Sequence, residues 1–264
     1  MDLDSIVSSI IGGSEEIYSK GTNRIIDGTD GIPLSIVSYI NNLPAKVLFL
    51  SNRIGSHPHE KTIAQIKESL DSMNLENITV RLGHSSIIHD CYRLFTDERL
   101  KDISLLSRIF LGIPYTLIGG LQAKLRRSDH YNPFTRTATI YSDVPAVAAH
   151  ELGHAKDFQD KKHVTLYALA RTLFAPVVWY QEFVASYLAH KSLSPENKWE
   201  TGRYLVPAFA SYMFGPIAIP TLVVGNILYR GAKYIAKSIY SGFSSMGRGI
   251  SNLFSSPTPS YSAA

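Results

Sequence analysis

The pentapeptide His150-Glu151-Leu152-Gly153-His154 constrains this chain more than any other stretch. Two histidines four residues apart share a face on a helix, so a helical segment lets both imidazoles reach one ion. Glu151 then lies beside them, placed to take a proton from a water that the ion activates. From this composition about 0.01 copies of such a pattern are expected by chance. The flanking residues agree with a packed helix over 144–160. Ala146, Val147, Ala149 and Leu152 make its buried sides apolar, Ser142 or Asp143 can cap it, and Pro145 is tolerated in its first turn.

Two histidines are not a complete catalytic site, which usually takes three protein ligands and leaves one position for water. The chain offers two carboxylates for the third place. Asp157 lies three residues past His154 on the same face, but its short side chain would have to reach back along the helix. Glu182 lies on the next long helical stretch, between Trp179-Tyr180-Gln181 and Phe183-Val184-Ala185-Ser186. An acid in such apolar company needs a partner, and a metal is a good one. This favours Glu182 as the ligand and leaves Asp157 as a group behind the ligands or a plain helix-surface carboxylate.

His-Glu-x-x-His followed one helix later by a glutamate resembles the pattern of the gluzincin metallopeptidases. The resemblance covers roughly residues 136–190, a minority of the chain. It extends to Tyr131-Asn132-Pro133-Phe134 running into Arg136–Tyr141, which looks like the substrate-facing edge strand of zincins, along which a bound peptide lies antiparallel. The resemblance implies His150, His154 and Glu182 as zinc ligands, Glu151 as general base and a polypeptide as substrate. Some gluzincins carry an aspartate four residues after the ligand glutamate, bonded to a ligand histidine; here Ser186 stands at that position. Tyr180, Tyr187, His190 and Tyr204 are candidates for an oxyanion donor, each read more simply as a packed aromatic or surface residue. The remaining histidines, His57, His59, His84, His89, His130 and His163, read as solvated groups in loops or at helix ends.

Around this centre the periodicities predict an α+β, zincin-like domain over 45–200 with apolar, proline-interrupted helices that can associate with a membrane. Residues 1–44 read as a short helix over 4–11 and irregular chain. Strands are expected at 45–50, 78–82 and 136–141. The stretch 51–59 reads as a loop. A helix over 60–73 carries Ile63, Ile66 and Leu70 on one side. Residues 85–105 read as mostly helical, with Ile87, Ile88, Cys91, Leu94 and Phe95 together on one side. A second long helix, or a pair, runs over 164–190 with a kink at Pro176.

Hydrophobic residues make up 45% of the chain and charged ones 18%, with mean hydropathy +0.00. That apolar balance favours a membrane-associated protein or a large core. Of three apolar stretches, 109–121, 173–180 and 204–229, only the last reads as long enough to span a bilayer. Its prolines suggest instead a re-entrant hairpin over 201–229, turning near Gly215-Pro216, which keeps the catalytic helices on the cytoplasmic side. No acid follows Glu200, whereas Arg203, Arg230, Lys233, Lys237 and Arg248 do, so residues 230–254 read as a basic amphipathic helix for an anionic membrane surface. No aromatic-basic motif points to nucleic acid. Residues 255–264 read as disordered. The acidic start of the chain predicts no cleaved signal peptide, and Cys91, the single cysteine, has no partner for an internal disulfide. The expected function is zinc-dependent peptide hydrolysis at a membrane surface. The rival is a non-catalytic membrane scaffold that retains the helix pair; an intact Glu151 weighs against it.

Overall fold

The structure is a computed structural model that describes residues 13–30, 46 and 49–214. The chain divides into two compact units, Met1–Met213 and Phe214–Ala264, and the described residues belong to the first apart from Phe214. The helix expected over 4–11, the hairpin turn at 215–216, the basic helix over 230–254 and the tail over 255–264 lie outside the described residues.

The fold is α+β, built on a small mixed sheet of five strands. Strands β1 (Gly13–Lys20) and β2 (Asn23–Thr29) form an antiparallel hairpin. Its two-residue turn needs a positive φ at the first position, and Gly21 supplies it at +59° without steric cost. β2 runs parallel to β3 (Thr79–Leu82), and β3 parallel to β5 (Thr137–Ile140). β4 (His130–Asn132) closes the sheet antiparallel to β5, in the order β1-β2-β3-β5-β4.

Two sequence readings change here. Residues 13–29 are a hairpin, not irregular chain; the pair carries Glu15, Glu16, Ser19, Lys20 and Arg24 and buries Ile25, so it lacks the apolar alternation that marks a strand. The expected strand over 45–50 is absent among its described residues: Lys46 is helical and Phe49-Leu50 form a turn, with Leu50 at φ +47° and exposed. Its apolar character serves a second core, where Phe49 meets the Tyr204 ring at 6.1 Å. A third correction concerns the edge of the sheet. β5 is paired on both sides and wholly buried, and the edge strand on this side of the sheet is His130–Asn132, with β1 at the other edge.

The sheet has two unlike faces, because successive side chains alternate. Val80, Leu82, Ala138 and Ile140 join the main core with Ile66 and Leu70 of α1 (Glu60–Ser72) and with Ala148, Leu152 and Phe158 of α4 (Pro145–Gln159). Thr79, Arg81, Thr137 and Thr139 are equally buried but polar. The layer on that side is α2 (Ile87–Thr96) and α3 (Leu105–Arg126). Arg81 donates to Asp90 at 2.8 Å, and Arg93 donates to Asp90 at 3.2 Å and to the Thr137 hydroxyl at 2.9 Å. The polar sheet face therefore turns the charged side of α2 inward. Leu94 is buried with it, while Ile88 is 87% exposed and Phe95 also faces out, so the apolar set expected on one side is split between the two.

α3 is longer than the apolar stretch 109–121 suggested. A π-turn at Arg108–Gly112, immediately before Pro114, keeps it continuous over 22 residues, long and apolar enough by length and composition to cross a membrane. Beyond α4 the chain forms the pair anticipated: α5 (Val164–Leu173) and α6 (Ala175–Ser192), broken at Phe174, with Pro176 in the first turn of α6. A π-turn at Thr201–Leu205 then leads into α7 (Val206–Phe214). The boundaries read at 44/45 and 200/201 fall inside this unit, since β1 and β2 join its sheet and Tyr204 and Leu205 its second core.

Candidate metal centre

The site is made where α4 and α6 cross. Gly153 sets the distance between them: a Cβ there would collide with the Ala185 carbonyl oxygen and lie 2.9 Å from its Cα. With the helices this close, the residues one turn back on each meet. His150 Nε2 lies 3.1 Å from Glu182 Oε2, and His154 Nε2 lies 3.5 Å from Glu182 Oε1. The imidazole rings stand 4.6 Å apart at 81°. One ligand atom from each of the three residues falls within 4.8 Å of the others, so the cluster could hold a metal ion. Ligand atoms about 2.0–2.1 Å from a tetrahedral ion stand roughly 3.3 Å apart, and the two nitrogen–oxygen separations bracket that value.

Electrostatics favour the same reading. His154 is buried, and loss of hydration lowers its imidazole to about 4, against the pull of Glu182 in the other direction, so it is neutral at pH 7 with a lone pair to give. Its Nδ1 has no hydrogen-bond partner. Burial would raise the Glu182 carboxyl, but the neighbouring His154 and the hydrogen bonds from both histidines outweigh it and hold the group well below the usual carboxylate range. The carboxylate also accepts from Arg171 Nη2 at 3.0 Å. Ser186, the position where an aspartate was noted as missing, places its hydroxyl 3.2 Å from His150 Nδ1. His150 thus has a polar partner at each ring nitrogen, Ser186 at Nδ1 and Glu182 at Nε2, and the tautomer decides which bond it donates. A cation between Nε2 and Glu182 satisfies both.

Glu151 is buried beside the cluster. Burial first, then the charges of Asp129 and Glu182, raise its carboxyl well above the usual range, with Arg171 opposing. Asp157 stands apart from the ligand group. It accepts from the Tyr167 hydroxyl at 2.5 Å and pairs with Lys161 at 2.9 Å, tying the end of α4 to α5. The tyrosines and histidine considered for oxyanion binding are engaged elsewhere. Tyr204 donates to Ser51, His190 meets Thr201, and Tyr180 and Tyr187 lie half exposed under Lys161 and Lys191.

Three further residues matter that the motif did not reveal. Arg171 is the one charge in the otherwise apolar α5, a signal that was available. Tyr115, on α3, lies within electrostatic reach of Arg171, Glu151 and Glu182. Glu200 replaces the expected caps of α4: it is fully buried, accepts the Ala146 amide at 3.1 Å, and pairs with Arg53 at 2.8 Å. Ser142 and Asp143 are occupied by Asp129 and by the His59 amide and Thr62 hydroxyl, which leaves Val144 at the cap position. Of the remaining histidines, His84 is buried and bonded to the Leu82 carbonyl, and His130 is partly buried with Nδ1 unpartnered, so neither is the solvated group expected. Set against protein-family models, characterised proteins and solved structures, the chain matches none of them.

Proposed function

We propose that this protein is a zinc-dependent metallopeptidase that hydrolyses polypeptides at a membrane surface. The observation that carries the reading is the convergence of His150, His154 and Glu182 from two crossing helices, with the buried Glu151 beside them. When bound, zinc supplies Lewis acidity, making water acidic near neutral pH and polarising a carbonyl. Glu151 accepts the proton of the attacking water and returns it to the leaving amine. Arg171 holds the Glu182 carboxylate in place and puts a partly exposed cation beside it. The substrate backbone is expected along the outer side of β4, the edge of the sheet, by strand addition.

The choice of zinc follows from the donors. Two imidazoles and one carboxylate form a mixed nitrogen and oxygen set typical of catalytic zinc, and there is no thiolate. The test is elemental analysis of the gently purified protein together with turnover of an unstructured polypeptide. About one zinc per chain is expected, with hydrolysis lost on chelation and restored by zinc. A protein that takes up no transition metal sinks the reading.

A further inference from the structure

The α2–α3 layer is built inside out. A helix on a water-facing surface turns its large apolar residues inward. Here α3 turns small ones inward: Gly112 against Leu94 and Phe134, Thr116 bonded to Asn132 at 2.9 Å, Gly120 against Ile87 and Ser85, and Ala123 buried. Its outer side carries Leu106, Phe110, Leu117 and Leu121, each at least 47% exposed, and α2 adds Ile88 and Tyr92. Small residues at the helix contact and large ones outside are the arrangement of helices in lipid. Its origin is the polar sheet face of Thr79, Arg81, Thr137 and Thr139, which draws the polar side of the layer to itself.

We infer that the outer face of α2 and α3 is a lipid-docking surface, and that α3 lies flat in an anionic bilayer interface instead of crossing it. This rests on the membrane half of the proposed function and is independent of the hydrolytic half. Charge identifies the occupant. Between Asp102 and Asp129 the sequence has no acid, and Arg126 is exposed at the end of α3 with Arg127 half-buried beside it; Lys124 is 3.5 Å from Asp30, and the Arg108 guanidinium turns inward. Basic residues flanking an apolar face draw it to acidic headgroups.

The docking of α3 decides its orientation. At about 1.5 Å per residue its 22 residues could cross the hydrocarbon. Its inner side, however, is fastened along its whole length to one small domain. Near the start, the Arg108 guanidinium donates to the Ile103 and Leu94 carbonyls at 2.7 and 2.9 Å. The middle is held by Asn132 and the far end by Ile87 and Ser85. A crossing helix would carry Asn132, Ser85 and the ion pairs of Arg81, Asp90 and Arg93 to the bilayer centre, where a charge that fails to stay paired is costly. Lying flat, the helix buries only its outer side.

The test uses the full chain in a Glu151→Gln background, so hydrolysis plays no part in the readout. With Cys91→Ser, single cysteines are placed at positions 106, 110, 117 and 121 and spin-labelled. Accessibility to oxygen against a nickel chelate is then measured on vesicles of phosphatidylcholine with phosphatidylserine. All four labels are expected at one depth, roughly 5–10 Å below the headgroups. High salt should weaken vesicle binding several-fold. In a Phe110→Glu, Leu117→Glu variant the label at position 121 should lose oxygen contact several-fold with melting temperature unchanged, because both side chains already face out. Depths that rise and fall along the helix would mean that it crosses. Absence of oxygen contact at all four positions would mean that protein covers the face, either the second compact unit or another copy. Either result overturns the inference, while the zinc content of the same preparation reports separately on the metal site.

Discussion

Glu182 joins the two histidines of α4 to the arginine of α5. It meets His150, His154 and Arg171 from a position that is 2% exposed, and its charge is tolerable only because those partners surround it. Removing it deletes a ligand and leaves Arg171 without its closest carboxylate. Glu182→Ala should therefore weaken zinc binding by at least 100-fold in competition titrations against a chromophoric chelator, more than the loss of a group that only supports a ligand. Asp157→Ala should change that affinity by no more than a few-fold. It should instead lower the melting temperature, since it strands the Tyr167 hydroxyl and Lys161. Equal losses of zinc affinity would mean that Asp157 is a ligand after all. Glu151 behaves differently again: Glu151→Gln should retain about one zinc and lose on the order of 10²–10⁴-fold in turnover, because the residue moves a proton and does not hold the ion. Unchanged turnover would assign the base elsewhere.

At the scale of the helix pair, a glycine does what a side chain cannot. Replacing a mid-helix glycine by alanine ordinarily stabilises by about 1 kcal/mol. At Gly153 the added methyl meets the backbone of Ala185, which cannot swing away as a side chain would, and overpacking of this kind costs about 1–3 kcal/mol. Overpacking should win. Gly153→Ala is expected to lower the melting temperature and weaken zinc binding together, because any shift of α6 moves Glu182. Ala185→Gly should not rescue it, since the obstacle is main chain. Thermal melts with and without zinc check both points. The same scale sets what could be read in the sequence. The α4 helix, α1 and the break before α6 were legible because each is specified by neighbours a few residues away: the four-residue spacing of His150 and His154, the three- and four-residue spacing of Ile63, Ile66 and Leu70, and Pro176. The cap on α4 was not, because Glu200 reaches Ala146 from 54 residues downstream. Nor was the orientation of α2, because Asp90 and Arg93 turn inward only to meet Arg81 and Thr137 on strands distant in sequence. Ile88 and Phe95 look like core residues until the sheet face opposite them proves to be polar.

At the scale of the whole fold, two neutral histidines, the buried His154 and the partly buried His130, should shape the response to acid. His130, on the edge strand, is lowered to about 4 by loss of hydration, with Asp90 opposing, and His154 is lowered to about 4. The unfolded chain takes up these protons near pH 6.5, whereas the folded protein resists until about pH 4. Each such histidine therefore removes stability as the pH falls through that window, by at most roughly 3 kcal/mol at 1.36 kcal/mol per pH unit. The buried Glu151 and the partly buried Asp129 act in the opposite sense, since their raised carboxyls let the folded state gain protons above the usual carboxylate range. The bulk acid curve mixes the two, so one position must be isolated. His130 suits this because its Nδ1 has no hydrogen-bond partner and because it lies outside the metal cluster. In chelator-treated protein, His130→Leu should gain stability relative to the parent as pH is lowered from about 6.5 to about 4, with the difference measured by urea denaturation at each pH. A difference that stays constant across that range would show that His130 takes up its proton in the folded protein as readily as in the unfolded chain.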